Sequence, residues 1–289
     1  MTNRNEVAQG NQGKADGAEA LAPQRGGPSA SYDQTKAVNW SSLKNMAVSP
    51  LLYRWRLEHP QPRTAAFVIG GAIHCAALEP GKFDARYALF DGTRRGKAWD
   101  EWNAERPGAE SLKPAEMERV MRSAEALRSH RVASRLLAQC RAEEPTVWKD
   151  FDTGMACKGR LDSISATYVL DLKSTKDPAP RQFERSSAGY LYHGQLAWYR
   201  DGAITAKKLP PSAAAYIVAV QSSEPYDVAV YALTDETLAH GRSLYRSLLR
   251  RLARCIEADW WPGVAPDLEI LNLPPWVAGE TSTVEEESF

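Results

Sequence analysis

An α/β architecture is expected of this chain: a mixed central sheet in αβββαβ order, flanked by helices. Three observations lead there. A long region of helical period gives way to three strand-like runs close together. A further helical stretch then precedes "SAAAYIVAVQ", an apolar run of the kind that a strand buried on both faces requires. Finally, 289 residues with 43% hydrophobic and 25% charged side chains can bury one large core or two modest ones. No internal repeat is visible.

Residues 1–35 are rich in Gly, Ala, Asn, Gln and Ser and hold almost no large apolar residue. Such a segment cannot bury enough surface to offset its ordering entropy, so it reads as a disordered arm. The main domain is expected over 36–279, with an acidic tail at 280–289. "NWSSLKNMAVSPLLYRWRLEH" predicts a short helix, a Ser-Pro break and an aromatic-rich helix, with Trp40 and Trp55 as core. "TAAFVIGGAIHCAALEP" continues as a helix stopped at Pro80, and 83–107 reads as an irregular excursion.

"SLKPAEMERVMRSAEALRSHRVASRLLAQC" predicts one long helix with Ser111 as cap, Pro114 just inside and an apolar stripe through Val120, Ala124 and Leu127. A strand "TVWKDF" and a turn at 152–154 follow, then paired strands at 155–164 and 168–173. "AGYLYHGQLAWYRDGA" reads as a helix ended by Gly202, "YDVAVYAL" as a neighbour of the buried strand, and 234–259 as a long amphipathic helix.

The formal charge is zero, from 36 basic and 36 acidic residues, but it is unevenly spread. Residues 1–30 contribute nothing and the tail from Glu280 holds four acids, which leaves the body between them at +4. That permits a nucleic-acid partner without demanding one. The start lacks the basic-then-apolar plan of a signal peptide, and no run is long enough to span a bilayer. Cys75, Cys140, Cys157 and Cys255 form no CxxC pair, which argues against a disulfide framework or zinc ribbon and for a reducing cytoplasm.

The hairpin "GRLDSISATYVLDLKST", 159–175, carries Asp162, Asp171 and Lys173 where uncharged side chains would pack better. Asp171 and Lys173 lie two apart on one strand and so share a face. If the register sets Asp162 beside Asp171, the two carboxylates can close on a hard divalent cation such as Mg²⁺, with Lys173 one step along. A lowered water pKa and a clamp on phosphate oxygens is the usual route to phosphodiester hydrolysis. The competing reading is a surface Asp–Lys salt bridge. His74, in "GGAIHC", and the i, i+4 pair Gln195 and Tyr199 each mean little alone.

Together these pieces resemble the RecB-type branch of the PD-(D/E)XK nucleases, and within it the RecE-like (exonuclease VIII-type) phage and prophage exonucleases. "SSLKNMAVSPLLY" resembles the opening of that domain and "GGAIHCAALEP" its G-x-x-x-H-x-x-x-L-E-P helix. "AEEPTVW" is similar to its acidic strand entry, "CKGRLD" and "DLKST" to its metal hairpin, "QLAWY" to its Q-x-x-x-Y helix, and "LNLPPW" to its tail. The segments stand in family order over roughly Trp40 to Tyr199.

This resemblance implies a restriction-endonuclease-like αβββαβ core and an Mg²⁺-dependent exonuclease (Mn²⁺ substituting) that acts on double-stranded DNA ends. It implies processive 5′→3′ digestion for recombination by single-strand annealing, in a homo-oligomeric ring, alongside a single-strand annealing protein and without a membrane. By the same resemblance Asp162, Asp171 and the Leu172 carbonyl hold the metal with His74, and Glu143 stands nearby. Glu144 is the alternative acid. Lys173 orients the attacking water, Lys158, Arg160 and Ser174 face DNA, and Gln195 and Tyr199 contact the DNA end or steady the metal site.

Three rivals remain. A nuclease-dead DNA-binding module should have lost an acid or the lysine, and none is missing. A Cas4-like iron–sulfur nuclease, or another RecB-type enzyme of different polarity, shares the hairpin, but the Cas4-like class needs clustered cysteines near the C-terminal end. A Cys75–His74 hydrolase fails because helix neighbours point about 100° apart. Trp99, Trp102, Trp260 and Trp261 are candidates for subunit contacts.

Overall fold

The computed structural model describes residues 30–273. Its centre is a six-stranded mixed sheet ordered β1 (Val38–Asn39), β5 (Ala156–Ile164), β6 (Tyr168–Thr175), β7 (Ala214–Gln221) and β8 (Val228–Ala232), with β4 (Arg141–Lys149) also on β5. β6 and β7 run parallel, while β4–β5, β5–β6 and β7–β8 are antiparallel. A separate parallel pair joins β2 (Tyr87–Leu89) to β3 (Glu110–Leu112).

β6 and β7 are buried on both faces, which is why their sequences read as continuous apolar runs. Val169 and Ile217 point into one apolar layer with Leu196, Trp198, Leu249 and Leu252. Leu170, Leu172, Val218 and Val220 point into the other, with Ile69, Ile73, Val120 and Leu127. α10 (Tyr192–Thr205) and α11 (Asp235–Ala258) cover the first face. α4 (Ala65–Leu78) and α7 (Pro114–Ser129) cover the second.

α2 (Trp40–Leu43) leads into a single 3₁₀ turn, and α3 (Pro50–Glu58) restarts after the Ser-Pro break, with Ser49 Oγ accepting the Leu52 N–H at 3.0 Å. α4 begins with Thr64 as its cap and stops before Pro80, as expected. α11 runs between Thr234 and a left-handed Asp259. Trp40 is core, but Trp55 is 45% exposed, against expectation.

Other expectations are corrected as well. The 83–107 stretch is not irregular: it forms α5 (Phe83–Arg86), β2 and α6 (Lys97–Glu105). Trp99 and Trp102 stack there with ring centroids 5.3 Å apart, both against Phe90, and the Trp102 indole N–H donates to the Leu89 carbonyl. Trp102 is therefore buried within its own chain and does not offer the contact expected of it. Ser111 lies on β3; Lys113 is the cap residue of α7, its N–H donating to the Glu116 carboxylate at 2.8 Å, and His130 breaks the expected long helix before α8 (Arg131–Ala138).

Gly202 does not end its helix. α10 passes through it, because a Cβ there would come within 2.6 Å of the Trp148 ring; the residue is glycine for close packing. The helix begins only at Tyr192, after α9 (Pro180–Gly189) closes and Leu191 turns left-handed at φ 58°. Residues 30–35, assigned to the arm, include α1 (Ala30–Gln34). Residues 1–29 and the acidic tail lie outside the described residues.

Candidate metal centre

The hairpin is paired only at its closed end. β5 and β6 share the rungs Ser163–Leu170 and Ile164–Val169. Beyond Ser163, β5 stays with β4 and β1, whereas β6 stays with β7 along its whole length. The strands therefore fork, and Asp162 and Asp171 are the next opposed residues at its mouth. This is the side-by-side register that two metal-binding carboxylates require.

Asp162 is buried, and its Oδ2 accepts the Leu172 N–H at 3.1 Å. In an antiparallel pair the N–H and C=O of one residue project to the same edge. The Leu172 carbonyl thus also faces the fork, where a ligand oxygen was expected. α4 brings His74 alongside, with Nδ1 3.5 Å from Asp162 Oδ2.

Glu143 completes this side. It interrupts the β4–β5 ladder: Ala142 pairs with Ser163 and Glu144 with Leu161, but Glu143 itself has a left-handed φ of 52°. Such backbone is costly for a residue with a side chain and gathers at functional sites. One ligand atom from each of His74, Glu143 and Asp162 lies within 4.8 Å of the others. Glu144 points elsewhere, 2.5 Å from Lys208 Nζ and 3.6 Å from Arg141. Carboxylate oxygens with one imidazole suit a hard or borderline divalent cation, so the residues fit such an ion.

Asp171 forms the other side. It is fully buried; its Oδ1 accepts from Gln195 Nε2 at 3.1 Å, and its Oδ2 pairs with Lys173. Burial pushes its carboxyl up to about 6; Lys173 pulls it down and Asp162 adds an upward push. Lys173 Nζ also donates to Gln195 Oε1 at 3.1 Å and lies 4.7 Å from the Tyr192 ring centroid. The Tyr199 hydroxyl supports Gln195 Nε2 at 3.3 Å. Tyr199 itself is only 8% exposed, so it steadies Gln195 rather than reaching DNA. Ser174 sits under α4, where a Cβ on Gly70 would come 3.0 Å from its Oγ.

Lys158 and Arg160 are engaged by the segment that sequence reasoning left disordered. Lys158 Nζ donates to the carbonyls of Thr35 at 2.8 Å and Tyr32 at 3.2 Å, and the Asp33 carboxylate pairs with Arg160 at 2.8 Å. The Tyr32 ring lies 5.0 Å from both cations. Sequence reasoning missed Tyr32 and Asp33 because composition alone was read there. Tyr192 was missed too, although it lies three residues before Gln195 and so on its helix face.

A fork of opposed carboxylates with a lysine two residues on, set in an αβββαβ core, defines the PD-(D/E)XK nuclease superfamily. Within it, the chain belongs to the family described as "PDDEXK-like domain of unknown function (DUF3799)", whose model matches residues 39–274. Among solved structures it resembles one described as a "putative exonuclease" from Eubacterium rectale, with a TM-score of 0.58 and 13% identity over 86% of this chain and 94% of that one. At that identity the likeness speaks for the fold. No curated protein matches. Among the described residues no helix is long and apolar enough to cross a membrane.

Proposed function

We propose that the protein is a divalent-metal-dependent deoxyribonuclease that hydrolyses phosphodiesters from the ends of linear duplex DNA. The observation that carries this reading is the fork itself: Asp162 and Asp171 opposed, with Lys173 held between Asp171 and Gln195. Asp162, Asp171, the Leu172 carbonyl, His74 and Glu143 would hold Mg²⁺, or Mn²⁺ in its place. The ion would supply a Lewis acid for phosphate oxygens and acidify water.

The chain's own groups do the rest. Lys173, fixed by two side chains and the Tyr192 ring, orients the attacking water and balances charge on the phosphate. Lys158 and Arg160 line the approach as phosphate partners once residues 32–35 move aside. The resemblance to RecE-like exonucleases supports the finer reading. The enzyme would digest 5′→3′ and processively, as a ring of copies threaded by the duplex, in the cytoplasm, feeding a single-strand annealing protein in recombination.

The test is digestion of linear against closed circular duplex, with Mg²⁺ or EDTA and each strand end-labelled. Metal-dependent loss of the 5′-labelled end from linear DNA alone is expected, and Lys173→Ala should lose it. Cleavage of closed circles, or activity in EDTA, overturns the reading.

A further inference from the structure

Beside Lys173 stands an aromatic row of which the hydrolytic site uses only one member, Tyr192. Tyr231 stacks on Phe183 with centroids 4.9 Å apart, Phe183 meets Tyr192 at 6.1 Å, and Tyr192 stacks on Tyr190 at 5.6 Å and 24° from parallel. The row begins against the core, where Phe183 is buried, and ends in solvent, where Tyr190 is 64% exposed. Its third ring is the one that carries the Lys173 ammonium.

The backbone makes this stacking. Side chains two apart on a continuous helix point to nearly opposite sides. Tyr190 and Tyr192 stack because Leu191 between them adopts φ 58° and ψ 39°, a left-handed conformation costly for a leucine. A left-handed non-glycine residue marks a position fixed by its surroundings and is common beside active sites. Here it lays an exposed ring against Tyr192, the ring that carries the Lys173 ammonium.

We propose that Tyr190 is a stacking platform for an unpaired nucleobase of the strand being cut, next to the phosphate that Lys173 serves. This rests on the deoxyribonuclease reading above. Bases inside a duplex already have both faces covered, so only an end, and most fully a base freed from its partner there, offers a face to the platform. An aromatic face accepts every base, which suits an enzyme that must pass along any sequence. The platform selects the class of substrate, a frayed end, and not its sequence.

The experiment has two arms. In the first, wild type, Tyr190→Ala and Tyr190→Phe digest linear duplexes whose terminal nucleotide is either normal or abasic. Wild type and Tyr190→Phe should show a KM roughly tenfold lower for the normal end, and Tyr190→Ala should bring the two KM values together. In the second arm, with EDTA to block cleavage, the fluorescence of Tyr190→Trp is followed on adding single-stranded oligothymidylate. It should be quenched relative to the wild-type protein, whose other tryptophans supply the background.

Equal KM values for the two ends in wild type, or a Tyr190→Ala defect confined to kcat, overturn the platform, as does an unquenched Tyr190→Trp. A wild-type protein that cuts neither duplex overturns the nuclease reading instead. The fluorescence arm then still decides whether a base stacks at this position.

Discussion

The backbone N–H of Leu172 reaches Oδ2 of Asp162 across the point where β5 and β6 part, at 3.1 Å. One carboxylate oxygen thus braces the second strand of the fork while the group supplies negative charge to its mouth. The two roles separate on mutation. Asp162→Asn keeps an oxygen to accept from Leu172 but loses the charge, so cleavage should fall by more than about a hundredfold while the fold persists. Asp162→Ala loses the brace as well and should also melt earlier. Cleavage by Asp162→Asn near the wild-type rate would refute the metal assignment.

Asp171 makes metal-free stability depend on pH. Its folded pKa is raised, chiefly by burial, to about 6. An acid whose pKa is raised on folding gives stability that is full below its unfolded value and lost as pH rises through the folded one. In EDTA, wild type should therefore lose stability between about pH 4 and pH 6. Asp171→Asn should remove that loss, raising Tm at pH 7.5 but not at pH 4, while abolishing cleavage. Parallel melting curves at both pH values would contradict the assignment.

Asp33 should compete with DNA for Arg160. The pair is 2.8 Å long and largely shielded from solvent on both sides. Asp33→Ala removes the carboxylate that competes with a phosphate for the guanidinium. Duplex affinity in EDTA should rise several-fold at low salt, with the salt dependence steepening by roughly one phosphate contact. Arg160→Ala should do the reverse. Filter binding over a salt series measures both, and an Asp33→Ala protein that binds less tightly removes residues 30–35 from the DNA path.

At Gly241, α11 packs directly on the backbone of α10. A Cβ there would come within 2.2 Å of the His193 carbonyl oxygen, a backbone atom that cannot swing away. Gly241→Ala must push the helices apart and should cost about 1–3 kcal/mol of stability. His193 precedes Gln195 by two residues, so the brace on Lys173 and Asp171 shifts as well. Denaturant unfolding and kcat on linear duplex should decline together; an unchanged midpoint would mean that the two helices are not rigidly packed.

The heart of the site was legible because its chemistry is local to two strands. Asp171 and Lys173 share a face by strand geometry alone, and a short turn fixes Asp162 opposite. Which glutamate lies beside His74 was not legible, since Glu143 itself adopts a left-handed backbone with no glycine to announce it. The 83–107 region was hidden for another reason. Its elements hold through tertiary bonds such as Arg94 to Ser111 at 2.7 Å and Phe90 N–H to the Leu112 carbonyl at 2.8 Å, none visible as periodicity. Residues 30–35 show the limit of composition, because a single Tyr-Asp step finds its cations more than 120 residues away.

α10 lies between strands that precede it in the chain and α11, which follows it. On the ribosome the fork, with both aspartates and the lysine, emerges before the helix against which α10 must close. A truncated translation product that stops short of Asp235 would carry every charged group of the site but not the support for Gln195. The geometry of the site is therefore completed late in synthesis, after its charged groups have already emerged.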